Sequence, residues 1–323
     1  MTDQPDPGSG VAGGTARREG AGTPPPGAGG HAPAEREFTV TARSQTRLIA
    51  RRFLRHRMAV VSLVVFVAVV LFAFVGPLLW HYEYSQITPD ESMPPSAKHP
   101  FGTDTVGHDE LALVMRGTQR SIEIALLVTV FSTLVGTVWG SVAGYYRGVA
   151  DMVMMRVSDL ILTLPFIAVA AVLGHNVSGT WWLVAVVISA LQWAYVSRVV
   201  RGVVLSLREK EFVEAARALG ASDARIIFRH LVPNALGAII VNATILVALA
   251  ILLETALSFL GFGVQPPDTS LGLLVQQAQT AVSTRPWLFY FPGLFIILIA
   301  LSVNFIGDGL RDAFDPQQQK VRQ

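Results

Sequence analysis

The chain has 323 residues, of which 51% are apolar and only 15% charged, with no cysteine. Soluble domains carry about 25% charged residues, so the deficit excludes an ordinary soluble domain and points to a lipid solvent. The absent cysteines exclude disulfides, thiolate metal sites and thiol catalysis, and a net charge of +2 gives no support to nucleic-acid binding.

Residues 1–33 contain six Pro and nine Gly. Such a stretch buries too little apolar surface to offset its ordering entropy, so a disordered tail is expected over 1–42. From Arg43 to Arg57 the pattern "RSQTRLIARRFLRHR" predicts a basic helix attracted to anionic lipid headgroups. The first apolar run follows this tail and lacks a short charged n-region before it, so no cleavable signal peptide is expected.

A helix needs about 20 apolar residues to cross a bilayer. Six runs meet that need: Met58–Trp80, Ser121–Ala143, Val157–Gly174, Thr180–Ser197, Ala235–Leu260 and Trp287–Ile306. The predicted fold is therefore an all-α membrane protein with six transmembrane helices. Lys and Arg near span ends stay cytoplasmic. With both termini inside, nine basic residues precede Met58, two are Arg147 and Arg156, seven run from Arg198 to Arg229, and three lie from Arg311 onward. Only Lys98, Arg116, Arg120 and Arg285 fall outside, a split of 21 to 4. The predicted division of the chain is the tail, a 43–118 section with the first span and an outer segment, a five-helix core over 119–312, and a cytoplasmic tail over 313–323.

The outer segment, His81 to Arg120, has room for a short helix of its own. Its His99, Asp104, His108 and Asp109 match no standard metal spacing, and Gly102 and Gly107 read as turn residues; no metal is expected. Asn176-Val177-Ser178 fits the glycosylation triplet, a pattern common by chance. No phosphate loop of the G-x-x-x-x-G-K-[ST] type occurs. Within the spans Glu254 is the main ionisable residue. It falls near the outer end of the fifth span, where water or a partner chain is within reach, and a structural polar contact is the favoured role over a substrate contact.

Between the fourth and fifth spans the chain inserts "EFVEAARALGASDARIIFRHLVPN", Glu211 to Asn234. Phe212, Ala215, Ala216 and Leu219 recur at i, i+3, i+4 and i+7, one helical face. Lys210 and Glu214 are spaced to pair at i, i+4. Gly220 suits a left-handed position just past the helix. Ser222 can cap a second short helix carrying Ile226 and Ile227, and Pro233 marks a bend into the fifth span. The periodicity alone fits a helix lying on the membrane as well as a knob for a cytosolic partner.

"EAARALGASDARIIFRHLVPN" resembles the cytoplasmic signature loop of ABC-transporter permease subunits: Glu214, Ala215, Ala216, Gly220 and Pro233 fall on its pattern, with Val232 in place of the usual Leu. "GTDTVGHDELA" (102–112), "AGYYRGVADMVMMRVSD" (143–159), "LSFLGFGVQPPDTSLG" (257–272) and "NFIGDGLRDAFDP" (304–316) are similar to the C-type subunit of dipeptide/oligopeptide permeases. The resemblance runs from about Arg43 to Pro316. His108 and Leu271 stand where such subunits often carry Arg and Trp.

The resemblance implies an ABC type I importer-like fold and an insert that acts as a coupling helix within the loop 206–233. Docking to a separate ATPase subunit would involve Glu214, Ala215, Ala216, Arg217, Gly220, Ala221 and Pro233, with Tyr145–Asp159 as a first coupling helix. ATP and Mg would sit on that subunit, so this chain would bind no cofactor and catalyse nothing. The implied partners are a B-type second permease subunit and an extracytoplasmic peptide-binding protein, in a bacterial cell membrane. The cargo would be dipeptides or oligopeptides, with nickel chelates and glutathione open. Two rivals remain: a secondary transporter driven by an ion gradient, which wants intramembrane ionisable pairs and repeats, and a membrane scaffold without transport. Glu254 is the candidate pathway or partner contact.

Overall fold

A computed structural model describes residues 45–176 and 180–314. The expected N-terminal tail, most of the C-terminal tail and two residues of the Asn176-Val177-Ser178 triplet lie outside the described residues. Among the described residues the chain is helical, with only isolated bridges at Ile87–His108 and Thr103–Asp109.

The helix α1 spans Gln45–Phe53 and α2 spans Arg57–Phe74. The ring of His56 caps α2 by accepting a hydrogen bond from the Ala59 N–H at 3.1 Å. The first apolar run does not continue to Trp80 as one helix: it divides at Val75, and Pro77 opens the short α3, Gly76–Leu79. Proline suits that place because a first-turn N–H has no helical partner anyway.

The next helix, α4 (Glu110–Tyr146), has 37 residues. It begins well before the expected Ser121, because Asp109 caps it with a 2.9 Å bond from the Ala112 N–H and its first turns are buried. At 1.5 Å per residue it is about 55 Å long, so it outruns the ~30 Å hydrocarbon core. Gly136, Gly140 and Gly144 repeat every four residues and face Val196, Ser197, Arg201 and Val204. Without side chains there, two backbones approach closely, which is how helices associate in lipid.

The expected third span, Val157–Gly174, is not one helix. It is a broken pair, α5 (Gly148–Thr163) and α6 (Phe166–Asn176), bent by 84°. Pro165 is the cause. It lacks the N–H a helix needs and drives Leu164 into extended backbone, with φ −69° and ψ 136°. The expected first coupling segment and the start of that span thus share a single helix, α5.

Then come α7 (Trp181–Leu207), α8 (Glu211–Ala218) and α9 (Asp223–Arg225), a π-turn over Ile226–Leu231, and α10 (Val232–Phe259). The last elements are α11 (Leu271–Ala278) and α12 (Trp287–Phe314), which runs through Pro292. Among the described residues five helices are long and apolar enough to cross a membrane, and the bent pair makes a sixth crossing if counted as one. The main core lies between α4, α7, α10 and α12 and includes Ile124, Val128, Ile188, Ile251 and Ile299. At one end of the bundle sit α8, α9 and the π-turn; the far end holds residues 81–109, the 260–270 loop and α11.

Candidate functional site

The insert end carries a second apolar cluster: Tyr145 from α4, Val200 and Val204 from α7, Val213 and Ala216 from α8, and Ile226, Ile227 and Leu231 from the π-turn. Tyr145 donates a 2.6 Å hydrogen bond to the Asp223 carboxylate, and the guanidinium groups of Arg208 and Arg217 lie 5.5 and 6.0 Å from its ring centre. The insert is thereby held against α4 and α7, and Ala235 and Ile239 of α10 join the same cluster.

Between α8 and α9 the chain turns at Gly220, whose φ is +77°. The Gly220 N–H donates to Arg217 O and the Ala221 N–H to Ala216 O, both at 3.0 Å. This pair of bonds is the Schellman stop, and glycine occupies its left-handed position without a Cβ penalty. Ser222 stands at the N-cap of α9 as expected, but its side chain makes no capping bond. Lys210 is itself the N-cap of α8, in extended backbone, so the helical spacing that would pair it with Glu214 is absent.

Pro233 does not mark a break. Asp223 to Phe259 runs on as one helix of 37 residues, with Pro233 in the first turn of α10 and the π-turn before it. The wider turn lets the Val232 N–H reach Ile227 O and absorbs the proline where an α-turn would clash with the carbonyl four residues back. The helix α9 is therefore continuous with α10.

Of the four residues on the expected apolar face of α8, three are exposed and one, Ala216, is not. Val213 and Ala216, at i and i+3, are buried, whereas Phe212, Ala215 and Leu219 point away. Ala216 thus supports the knob instead of forming its outer surface. Leu219 is 88% exposed, Phe228 51% and Phe212 36%, and Glu214, Arg217, Gly220 and Pro233 are exposed beside them, with Ala221 half-buried. The Val213 signal was present as a second apolar row, one step round the same helix.

The helix α5 is clamped to α7 near this end. Arg201 holds Asp151 through both nitrogens, at 2.5 and 2.6 Å. Arg198 pairs with Asp159, and Arg147, in the turn before α5, pairs with Glu209. Ser158 meets Ser197 at 3.1 Å. The Glu209 carboxyl is held below its usual range by the Arg147 guanidinium.

Glu254 lies elsewhere, at the far end, and does not reach water. It is fully buried and accepts hydrogen bonds from Ser258 at 2.7 Å and from Ser121 at 3.1 Å. Ser121 in turn accepts from the Leu271 N–H at 3.3 Å. The carboxyl joins α10 to α4 and, through Ser121, to the start of α11; the close packing of three elements explains why it is shut off from solvent.

In the outer segment the four candidate ligand residues are bonded to one another. His99 meets Asp109 at 2.7 Å and His108 meets Asp104 at 2.8 Å. Asp109 also takes the Trp80 indole N–H at 3.0 Å, while Asp104 takes the N–H groups of Val106, Gly107 and His108. Beside them Asp90 is held below its usual range by hydrogen bonds from Lys98 and His99. These bonds fold the segment onto the start of α4.

Fold and site together define a multi-pass helical membrane protein with a braced, partly apolar knob at one end. Residues 136–320 match the family described as binding-protein-dependent transport system inner membrane component, and residues 44–95 match the N-terminal TM domain of oligopeptide transport permease C. The chain is 42% identical over 283 residues to the oligopeptide transport system permease protein OppC of Mycobacterium bovis, covering 86% of this chain and 97% of that one. It is 36% identical over 270 residues to the protein of that name from Bacillus subtilis, covering 83% and 88%. A putative peptide permease protein of Brucella suis is 42% identical over 273 residues, covering 84% and 90%. The chain belongs to the binding-protein-dependent transport system inner membrane component family, the permease subunits of ABC transporters with the type I importer fold, and is of the oligopeptide permease C type.

Proposed function

We propose that this chain is one permease subunit of an ATP-driven importer of short peptides in a bacterial inner membrane. The relatives' names supply the cargo class, and the bias of basic residues supports an orientation with both termini and the insert in the cytoplasm. A second, B-type permease subunit completes the pathway, and an extracytoplasmic binding protein delivers peptide at the far end. ATP and Mg sit on separate ATPase subunits that grip the knob through Phe212, Leu219 and Phe228 with Glu214 and Arg217 at the rim.

The observation that carries this reading is the mechanical one. An exposed apolar row sits on a short helix whose opposite face is fixed to α4 and α7, and whose sequel is continuous with α10. Closure of the ATPase subunits moves the knob, and α10 moves with it, exposing the pathway to alternate sides. Uptake of a labelled tripeptide by cells carrying the parent or Leu219→Asp tests it. The variant should reach the membrane normally and lose at least about a hundredfold in uptake, since an unpaired charge in a dry contact costs several kcal/mol. Parental uptake by the variant, or uptake driven by the proton gradient after ATP depletion, contradicts the reading.

A further inference from the structure

The basic stretch ahead of the first span folds as α1, nine residues and about 14 Å long, far short of a bilayer. It docks where α2 begins and α12 finishes. Ile49 and Phe53, one turn apart on α1, pack with Ala59 of α2 and with Ile306, Leu310 and Ala313 of α12. The Arg52 guanidinium adds a 3.5 Å bond to the Ala313 carbonyl. Because one span starts and another stops at these contacts, they hold α1 at the boundary between lipid and water.

The side of α1 turned away from α12 carries charge. Arg51 lies half a turn round the helix from Ile49 and Phe53 and is exposed, as are Arg55 in the following turn and Arg57 at the start of α2. None of the three pairs with a carboxylate among the described residues. Asp312, on the last turn of α12, sits 3.6 Å from the His56 ring instead. Leu48 and Leu54 are exposed among these arginines, Leu54 by 65%, and Met58 and Val61 continue exposed apolar surface into α2.

Exposed leucines at the end of a span favour the acyl boundary, while guanidinium groups snorkel to the headgroups. Apart from His56, every basic residue from Arg43 to Arg57 is arginine and none is lysine. The guanidinium fork matches phosphate oxygens two at a time. We propose that α1 and its turn into α2 form a binding surface for anionic phospholipid headgroups, with the phosphate on Arg51, Arg55 and Arg57 and the side chains of Leu48 and Leu54 at the acyl boundary. A zwitterionic lipid offers the same phosphate beside a compensating ammonium, so the surface selects headgroups of net negative charge. An acidic protein surface would satisfy the arginines without accounting for apolar exposure that runs on into a spanning helix.

The test uses a fluorophore carried by Ala50→Cys, an exposed position of α1 in a chain with no other cysteine. The full chain is placed in phosphatidylcholine nanodiscs in which a small fraction of lipid bears an acyl-chain nitroxide, on phosphatidylglycerol in one set and on phosphatidylcholine in the other. Quenching by the anionic lipid should exceed quenching by the zwitterionic one at least about fivefold, the attraction of one arginine for a charged surface. Raising NaCl to about 1 M, where the Debye length is about 3 Å, should bring the ratio toward one. Combining Arg51→Gln, Arg55→Gln and Arg57→Gln should do the same, whereas the three matching lysine substitutions should keep a preference. Millimolar inorganic phosphate should leave the ratio unchanged. Equal quenching by the two lipids in the parent, an undiminished preference in the glutamine variant, or a lysine variant that behaves like the glutamine one overturns the proposal. Loss of the preference to inorganic phosphate assigns the arginines to a free anion and overturns it too. Shielding of the fluorophore that needs added ATPase subunits and shows no lipid preference gives the face to a protein instead.

Discussion

The phenol of Tyr145 donates a hydrogen bond to the Asp223 carboxylate across 78 positions of sequence, tying the last turn of α4 to the first residue of α9. Because the ring is buried while Asp223 is exposed, the bond fixes the direction of the insert more than it fills the core. Tyr145→Phe keeps the packing and removes only the bond. It should cost about 0.5–1.5 kcal/mol, read as faster amide hydrogen exchange across 211–226 with the exchange of α4 and α7 unchanged. Faster exchange throughout those helices would show that the residue holds the bundle and not the insert.

Gly220 separates conformational strain from steric fit. Its φ is +77°, and a Cβ placed on it meets nothing within 4 Å. Gly220→Ala should therefore cost about 1–2 kcal/mol from backbone alone, and Gly220→Val more, because a β-branched side chain tolerates that region least. Gly202, in α7, has equally open space and no positive φ. Gly202→Ala should be neutral or stabilising by about 0.5–1 kcal/mol. Thermal unfolding in one detergent ranks the three, and equal midpoints for Gly220→Ala and Gly202→Ala would refute the assignment of strain.

For Glu254 the prediction concerns chemistry in the core. Glu254→Gln preserves shape and can still meet Ser121 and Ser258, so it should lose about 1 kcal/mol or less. Glu254→Leu takes the carboxyl acceptor from both hydroxyls and should lose about 1–3 kcal/mol. If Glu254→Leu is the more stable of the two in thermal unfolding, the network is not what holds α4 to α10 at the far end.

Much of this architecture was legible because lipid imposes a simple code. Runs such as Ala235–Leu260 and Trp287–Ile306 have few alternatives to spanning, and the "EAARALG" stretch with its glycine stop announces a helix and its end. Less was legible where packing decides. The start of α4 at Glu110 lies among charged residues that composition assigns to a loop, and the Asp109 cap together with burial against the 266–271 segment makes them helix. Pro165 signalled a break that its apolar surroundings masked. In α8 two apolar rows differ by one residue, and only the burial of Val213 and Ala216 in the cluster that includes Tyr145 and Ile226 chooses which row turns inward. The depth of Glu254 likewise follows from neighbours distant in sequence.

What touches the outer row of the knob decides whether the insert is a docking surface. The chain has no cysteine, so Leu219→Cys and Val106→Cys each introduce a single thiol, at the insert end and the far end, both on exposed positions. A short thiol-to-amine crosslinker should join Leu219→Cys in the assembled transporter to the phosphate-loop ATPase subunit, and should join Val106→Cys to no ATPase. A crosslink to the ATPase from Val106→Cys, or its absence from Leu219→Cys in a complex that still hydrolyses ATP, would contradict the assignment of the insert as the docking knob.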